Sequence, residues 1–196
     1  MSEDDRLNVA VVIGSTRRGR FGPTPARWIA DQAEQRGGMK VDLIDLAEAD
    51  LPPILPSDDA TLPLPEQVEA LAPRIEAADA FIVVTPVYNR GYPGSVKNAI
   101  DWFFTEWQAK AVGFVSYGGV TGGLTSIEQL RPIFNELNAA TIRNTITFPD
   151  YQDKFDELGQ PTNPELLSSL AKGFLEQLTW WAEALREARR KVPYPG

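Results

Sequence analysis

The sequence contains no histidine and no cysteine. Without them there is no Ser-His or Cys-His nucleophile pair, no disulfide, and no thiolate or imidazole to hold a metal. Chemistry near neutral pH must then come from a bound cofactor or from carboxylates, lysines and tyrosines tuned by their surroundings. Positive charge is also short: 19 Lys and Arg stand against 27 Asp and Glu, for a net charge of -8 and a pI near 4.7. That balance opposes the phosphate backbone, so nucleic acid is not expected as a partner. No apolar run approaches the roughly 18 residues of a membrane span, and the chain opens on the polar, acidic Met1-Ser2-Glu3-Asp4-Asp5-Arg6. A soluble cytoplasmic protein with no membrane partner is expected. There is no internal repeat and no low-complexity run.

What is present is the material for one domain spanning residues 1–196, with 43% hydrophobic residues. A chain of this size buries roughly 70% of the surface it exposes when unfolded. Apolar runs at 9–13, 41–44, 80–84, 111–116 and 141–148 read as strands, and helical patterns at 23–36, 64–77, 93–104, 125–137 and 164–190 alternate with them. Such alternation implies βαβ units and a parallel α/β sheet. Runs 9–13, 80–84 and 111–115 are almost wholly apolar and belong in the middle of the sheet, while the other two alternate and suit its edges. Five strands and five helices fit the doubly wound order 2-1-3-4-5, with a ligand crevice at the switch point between the first and third strands. In the last helix Leu167, Leu170, Phe174, Leu178, Trp181 and Leu185 form a stripe for the sheet. Asn163 serves as its N-cap, and Arg186, Arg189, Arg190 and Lys191 suit its C-terminal dipole. Pro132 should kink the 125–137 helix. The Pro-rich stretch 52–63 reads as a stiff surface connection.

Three loops carry the chemistry. Pro86-Val87-Tyr88-Asn89-Arg90-Gly91-Tyr92-Pro93-Gly94 follows the third strand and opens a helix. Tyr88 offers a ring face, Asn89 donors and acceptors, and the prolines and glycines set the backbone, which together suit a planar heterocycle. Gly14-Ser15-Thr16-Arg17-Arg18-Gly19-Arg20 follows the first strand, where amides, hydroxyls and arginines suit an anion. It has neither the G-x-G-x-x-G of dinucleotide folds nor the G-x-x-x-x-G-K of P-loops. Ser116-Tyr117-Gly118-Gly119-Val120-Thr121-Gly122-Gly123 follows the fourth strand and leads to Gln129-Leu130-Arg131. Lys97 and Asp101 form an i,i+4 pair. Trp102, Phe103, Phe104 and Trp107 divide between core and a self-association surface.

These blocks, above all the run from Pro86 to Trp102, resemble the NADPH-dependent FMN reductase family over about residues 7–148. The departures are Val87, where the family usually has Glu, and Gly91, where it often has Ser. The resemblance implies a flavodoxin-like three-layer sandwich with FMN as cofactor and NADPH or NADH as cosubstrate. It implies that Ser15 and Arg17 hold the 5′-phosphate, with Arg18, Arg20, Phe21 and Gly22 in the same loop. Arg18 and Arg20 are open to water or to the 2′-phosphate of NADPH. Pro86, Val87, Tyr88 and Asn89 would line the isoalloxazine, and Ser116, Tyr117, Gly118 and Gly119 its N1/O2 edge. No catalytic side chain and no metal are expected, since hydride arrives at flavin N5 and leaves for free flavin, a quinone or another small acceptor. A homodimer or tetramer is implied. The alternative is a flavodoxin-type carrier that binds FMN and docks redox proteins, although the three arginines of the first loop are unlike the weakly charged phosphate loops of such carriers. A scaffold that kept the fold and lost the flavin is a third reading, against which the intact loops argue.

Overall fold

The computed structural model describes residues 5–55 and 63–195. Five parallel strands, β1 (Leu7–Ile13), β2 (Met39–Asp45), β3 (Ala80–Pro86), β4 (Ala111–Gly118) and β5 (Ala140–Pro149), form one sheet in the order β2-β1-β3-β4-β5. The placement follows from composition. Strands β3 and β4 are buried at every position and β1 at all but Asn8, as strands covered on both faces must be. Strands β2 and β5 mix buried and exposed positions and take the edges. Helices α1 (Pro23–Arg36) and α6 (Pro164–Lys191) cover one face, where Val9, Val11, Ile82 and Val115 meet Ile29, Phe174 and Leu178. Helices α3 (Glu66–Ala77), α4 (Gly94–Trp102) and α5 (Leu124–Glu136) cover the other, where Phe81, Val83 and Phe114 meet Ile75, Ile100 and Phe134. Both prolines inside helices, Pro73 and Pro132, lie within runs that continue past them.

Several details differ from the sequence reading. A one-turn helix, α2 (Leu46–Ala49), follows β2 and is capped by Asp45, whose side chain accepts from the Ala47 amide. The buried stripe of α6 is Leu167, Ala171, Phe174, Leu175, Leu178 and Ala182; Leu170 and Trp181, expected to face the sheet, are 43% and 39% exposed. Small residues set that rotation by letting the helix lie close, and Gly113 of β4 does the same from below: a Cβ there would stand 2.5 Å from Phe174. Asn163 caps α6 as expected, accepting from the Leu166 amide. Arg189, Arg190 and Lys191 lie in the last turn of α6 as expected, and Arg186 and Arg189 also reach Asp79 at the start of β3. Phe103 and Trp107 are core, while Phe104 is 55% exposed. Of the Pro-rich stretch, 56–62 lies outside the described residues, and Leu51 and Pro52 are tied down, as detailed below. No helix among the described residues is long and apolar enough to cross a membrane.

Candidate functional site

Parallel register brings the three chemical loops to one edge. Ile13 pairs with Val84, Thr85 with Ser116 and Pro86 with Tyr117, so β1, β3 and β4 end side by side. The Gly14 amide donates to the Val84 carbonyl at 2.8 Å, and Ser95 at the start of α4 donates to the Gly14 carbonyl at 2.5 Å. A side chain at position 14 would meet Val96 at 2.5 Å, so only glycine passes there.

In the first loop Ser15 is fully buried, and its hydroxyl shares a 2.6 Å hydrogen bond with the Tyr88 hydroxyl. The Arg17 amide also approaches it, at 3.4 Å. Ser15, expected on the phosphate, is thus part of the floor that joins the first loop to the third-strand loop. Thr16, Arg17, Arg18 and Gly19 are exposed. Among the described residues the guanidinium groups of Arg17 and Arg18 have no ion pair, and the Thr16, Arg18 and Gly19 amides make no hydrogen bond. Arg20 differs: its guanidinium is paired with Asp45, so it is engaged by the fold rather than open to a phosphate. Phe21 packs edge-on against Tyr117 at 5.2 Å and lies 4.6 Å from Tyr151. Gly22 sits under Tyr117, whose hydroxyl would be 2.9 Å from a Cβ added there.

The third-strand loop is a two-residue turn. Tyr88 and Gly91 exchange both backbone hydrogen bonds, at 2.8 and 3.0 Å. Asn89 and Arg90 between them have φ of 49° and 71°, the left-handed pair of a type I′ turn. Asn89 is exposed, Tyr88 half-buried and Pro86 buried. The turn is held from α5: Ser126 donates to the Pro86 carbonyl at 3.0 Å and Gln129 to the Arg90 carbonyl at 2.8 Å. On the far side Asn98 donates to the carbonyls of Leu51 and Pro52, and the Trp102 indole to that of Pro52 at 2.8 Å. Sequence reasoning assigned no role to Ser95, Asn98, Ser126 or Gln129, and read Trp102 only as core or self-association surface. The signal available was polarity at positions of α4 and α5 that face loops rather than solvent.

At the end of β4, Ser116 faces away from the expected ring edge; it is buried and donates to the Gly122 carbonyl at 2.7 Å. Gly118 is closely covered, since a Cβ would fall 2.5 Å from Val87, whereas Gly119 is exposed with nothing within 4 Å. Val87 therefore presents an apolar wall where the family usually has a carboxylate. The Tyr117 hydroxyl is buried and has no well-formed hydrogen bond. Burial, then the neighbouring Tyr88, raises its pKa, and the nearby Ser15 works the other way. It stays protonated through the neutral range, enclosed between Ser15 and Gly22. A cleft of about 570 Å³ adjoins these loops, with Thr16, Leu51, Gly94, Ser95 and Asn98 in its wall.

The free amides and unpaired arginines of the first loop suit an anion in charge and hydrogen-bonding capacity. Lys110, whose pKa burial lowers to about 8, lies at the other end of β4. A doubly wound parallel sheet in this order, with three loops meeting beside its switch point, is the architecture of the flavodoxin-like class. The chain belongs to the NADPH-dependent FMN reductase family, which it matches over residues 7–153. It is 33% identical over 150 residues to an NAD(P)H-dependent FMN reductase of Schizosaccharomyces pombe, covering 72% of this chain and 73% of that one. It is 30% identical over 193 residues to the quinone reductase of Escherichia coli, covering 96% and 98%. Among solved structures, a flavoenzyme NAD(P)H:(acceptor) oxidoreductase of Paracoccus denitrificans superposes with a TM-score of 0.73 at 29% identity, covering 91% of this chain and 98% of that one.

Proposed function

We propose that the protein is an FMN-dependent NAD(P)H oxidoreductase that passes reducing equivalents from NADPH or NADH to free flavin, a quinone or another small acceptor. The observation that carries this reading is the convergence, at one sheet edge, of unpaired Arg17 and Arg18, free loop amides and the Tyr88 turn. Family membership and relatives named as FMN and quinone reductases support it. Bound FMN supplies the acceptor for hydride. The chain does the rest: Arg17, with Arg18 and the Thr16, Arg18 and Gly19 amides, holds the phosphate. Pro86, Val87, Tyr88 and Asn89 would line one side of the ring, and the uncovered Gly119, beside Gly118 packed under Val87, would let backbone approach its electron-rich edge. Ser15, Phe21, Gly22, Ser116 and Tyr117 shape the floor beneath. No protein acid or base near pH 7 is required, in keeping with a chain without histidine.

The test is direct. Purified protein should bind one FMN per chain, NADPH or NADH should bleach it anaerobically, and a quinone should restore the colour repeatedly. Reduction without turnover on small acceptors would favour the electron carrier, and lack of FMN binding would end the assignment. A homodimer is part of the reading, supported by exposed Phe104 beside half-buried Tyr92 and Trp102 and by the exposed Trp180 and Trp181 of α6. A species of 21.7 kDa in sedimentation would contradict it. A cytoplasmic location is supported by the need for reduced nicotinamide nucleotides, and fractionation with a cytosolic marker tests it.

A further inference from the structure

Arg90 occupies a position where the backbone asks for something else. In a type I′ turn the second central residue has positive φ and is commonly glycine, because a side chain there crowds the backbone. Here that residue is arginine, at φ 71°. Neither packing nor pairing explains the choice: Arg90 is exposed, and among the described residues its guanidinium has no hydrogen bond and no ion pair. Its backbone is fixed twice over, by the two hydrogen bonds between Tyr88 and Gly91 and by Gln129, whose side chain holds the Arg90 carbonyl at 2.8 Å. Gly91 allows that approach, since a Cβ there would stand 3.1 Å from the Gln129 carbonyl oxygen. A strained residue held rigidly beside a ligand loop points to use of its side chain.

We propose that Arg90 is a specificity residue that receives an anionic group on the reactant docking beside Tyr88, either the 2′-phosphate of NADPH or a carboxylate or sulfonate on the acceptor. The inference rests on the oxidoreductase reading above. A guanidinium matches such groups with two parallel hydrogen bonds. The other arginines of this edge are otherwise assigned: Arg20 is paired with Asp45, and Arg17 and Arg18 border the FMN phosphate loop.

The experiment compares FMN-loaded wild type with Arg90→Gly and Arg90→Lys. Kinetics use NADPH and NADH with a neutral quinone, then NADH with neutral and sulfonated quinones, alongside thermal unfolding and FMN stoichiometry. For Arg90→Gly we expect FMN content and melting temperature at or above wild type, because strain is relieved. We also expect a fall of about five- to tenfold in one of two ratios of kcat/KM, NADPH over NADH or sulfonated over neutral quinone, expressed in KM. The first ratio identifies the donor phosphate and the second the acceptor, and Arg90→Lys should recover part of the loss. Active variants with both ratios unchanged would overturn the proposal, as would equal losses on all reactants with a lowered melting temperature, which mark a structural role. A wild type that binds no FMN would overturn the functional reading with it.

Discussion

Both ends of the strands gather arginines, and they treat them in opposite ways. At the end where β3 and β4 begin, Arg189 reaches Asp79 at 3.1 Å and the Ala109 carbonyl, and Arg186 reaches the Arg6 carbonyl at 2.9 Å and Asp79 at 3.6 Å. Asp79 in turn accepts from the Asn8 amide at 3.0 Å. Lys110, buried beside them, donates to the last carbonyls of α3, Ile75 and Glu76. Where the strands end, Arg17, Arg18 and Arg90 have no partner among the described residues. One set locks the C-terminal helix to the sheet, and the other is left open to solvent. Composition alone makes the two sets look alike; partners separate them.

The difference is most easily broken at Asp79. Asp79→Ala leaves two part-buried guanidinium groups and a backbone amide uncompensated, which should cost about 3–5 kcal/mol of stability in urea unfolding. FMN affinity, set at the other end, should hold. A loss below about 1 kcal/mol would mean the arginine lock is ornamental.

Lys110 sharpens the same point through pH. Burial first, then Arg189, lowers its pKa from 10.5 to about 8. Below that value folded and unfolded chains both carry the proton, and the folded state bears the whole cost of the buried charge. Between about 8 and 10.5 the folded protein sheds a proton that the unfolded chain keeps, so the contribution to stability rises with pH. The stability difference between wild type and Lys110→Met should climb across that window, by about 3 kcal/mol at most. A flat difference would contradict the burial account.

At the ligand end, Gly122→Ala should act on both stability and binding. Its φ is 59°, and an added Cβ would lie 2.8 Å from the Pro149 nitrogen. About 1–3 kcal/mol of destabilisation is expected. Because the Gly122 carbonyl anchors Ser116, FMN should also bind more weakly, which a fluorescence titration reads. Tight binding at wild-type level would show that this anchor does not shape the site.

Strand order was legible because burial on one or two faces writes itself into composition: 80–84 could only be central and 41–44 only an edge. The meeting of the three Gly-, Pro- and Arg-bearing loops at one set of strand ends was legible as well, since it follows from parallel strands in that order. The direction of individual side chains was not. Ser15 and Ser116 read as ligand groups yet face inward, to Tyr88 and Gly122. Arg20 lost its expected freedom to Asp45, a residue 25 positions away that also caps α2. The stripe on α6 came out rotated because alanines carry no weight in a pattern of large apolar residues but decide how closely a helix can lie. Such pairings depend on distances between segments remote in sequence, which periodicity does not encode.

The contrast between the two ends is tested most directly by titrating FMN and riboflavin into Arg17→Ala and Asp79→Ala beside the wild type. Arg17→Ala should weaken FMN by about ten- to a hundredfold, the worth of a charge-assisted hydrogen bond of about 1.5–3 kcal/mol, while leaving riboflavin binding and the urea midpoint unchanged. Asp79→Ala should lower the midpoint and leave both affinities as they were. Equal losses of FMN and riboflavin in Arg17→Ala, or an FMN-selective loss in Asp79→Ala, would contradict the division of the arginines between ligand and fold.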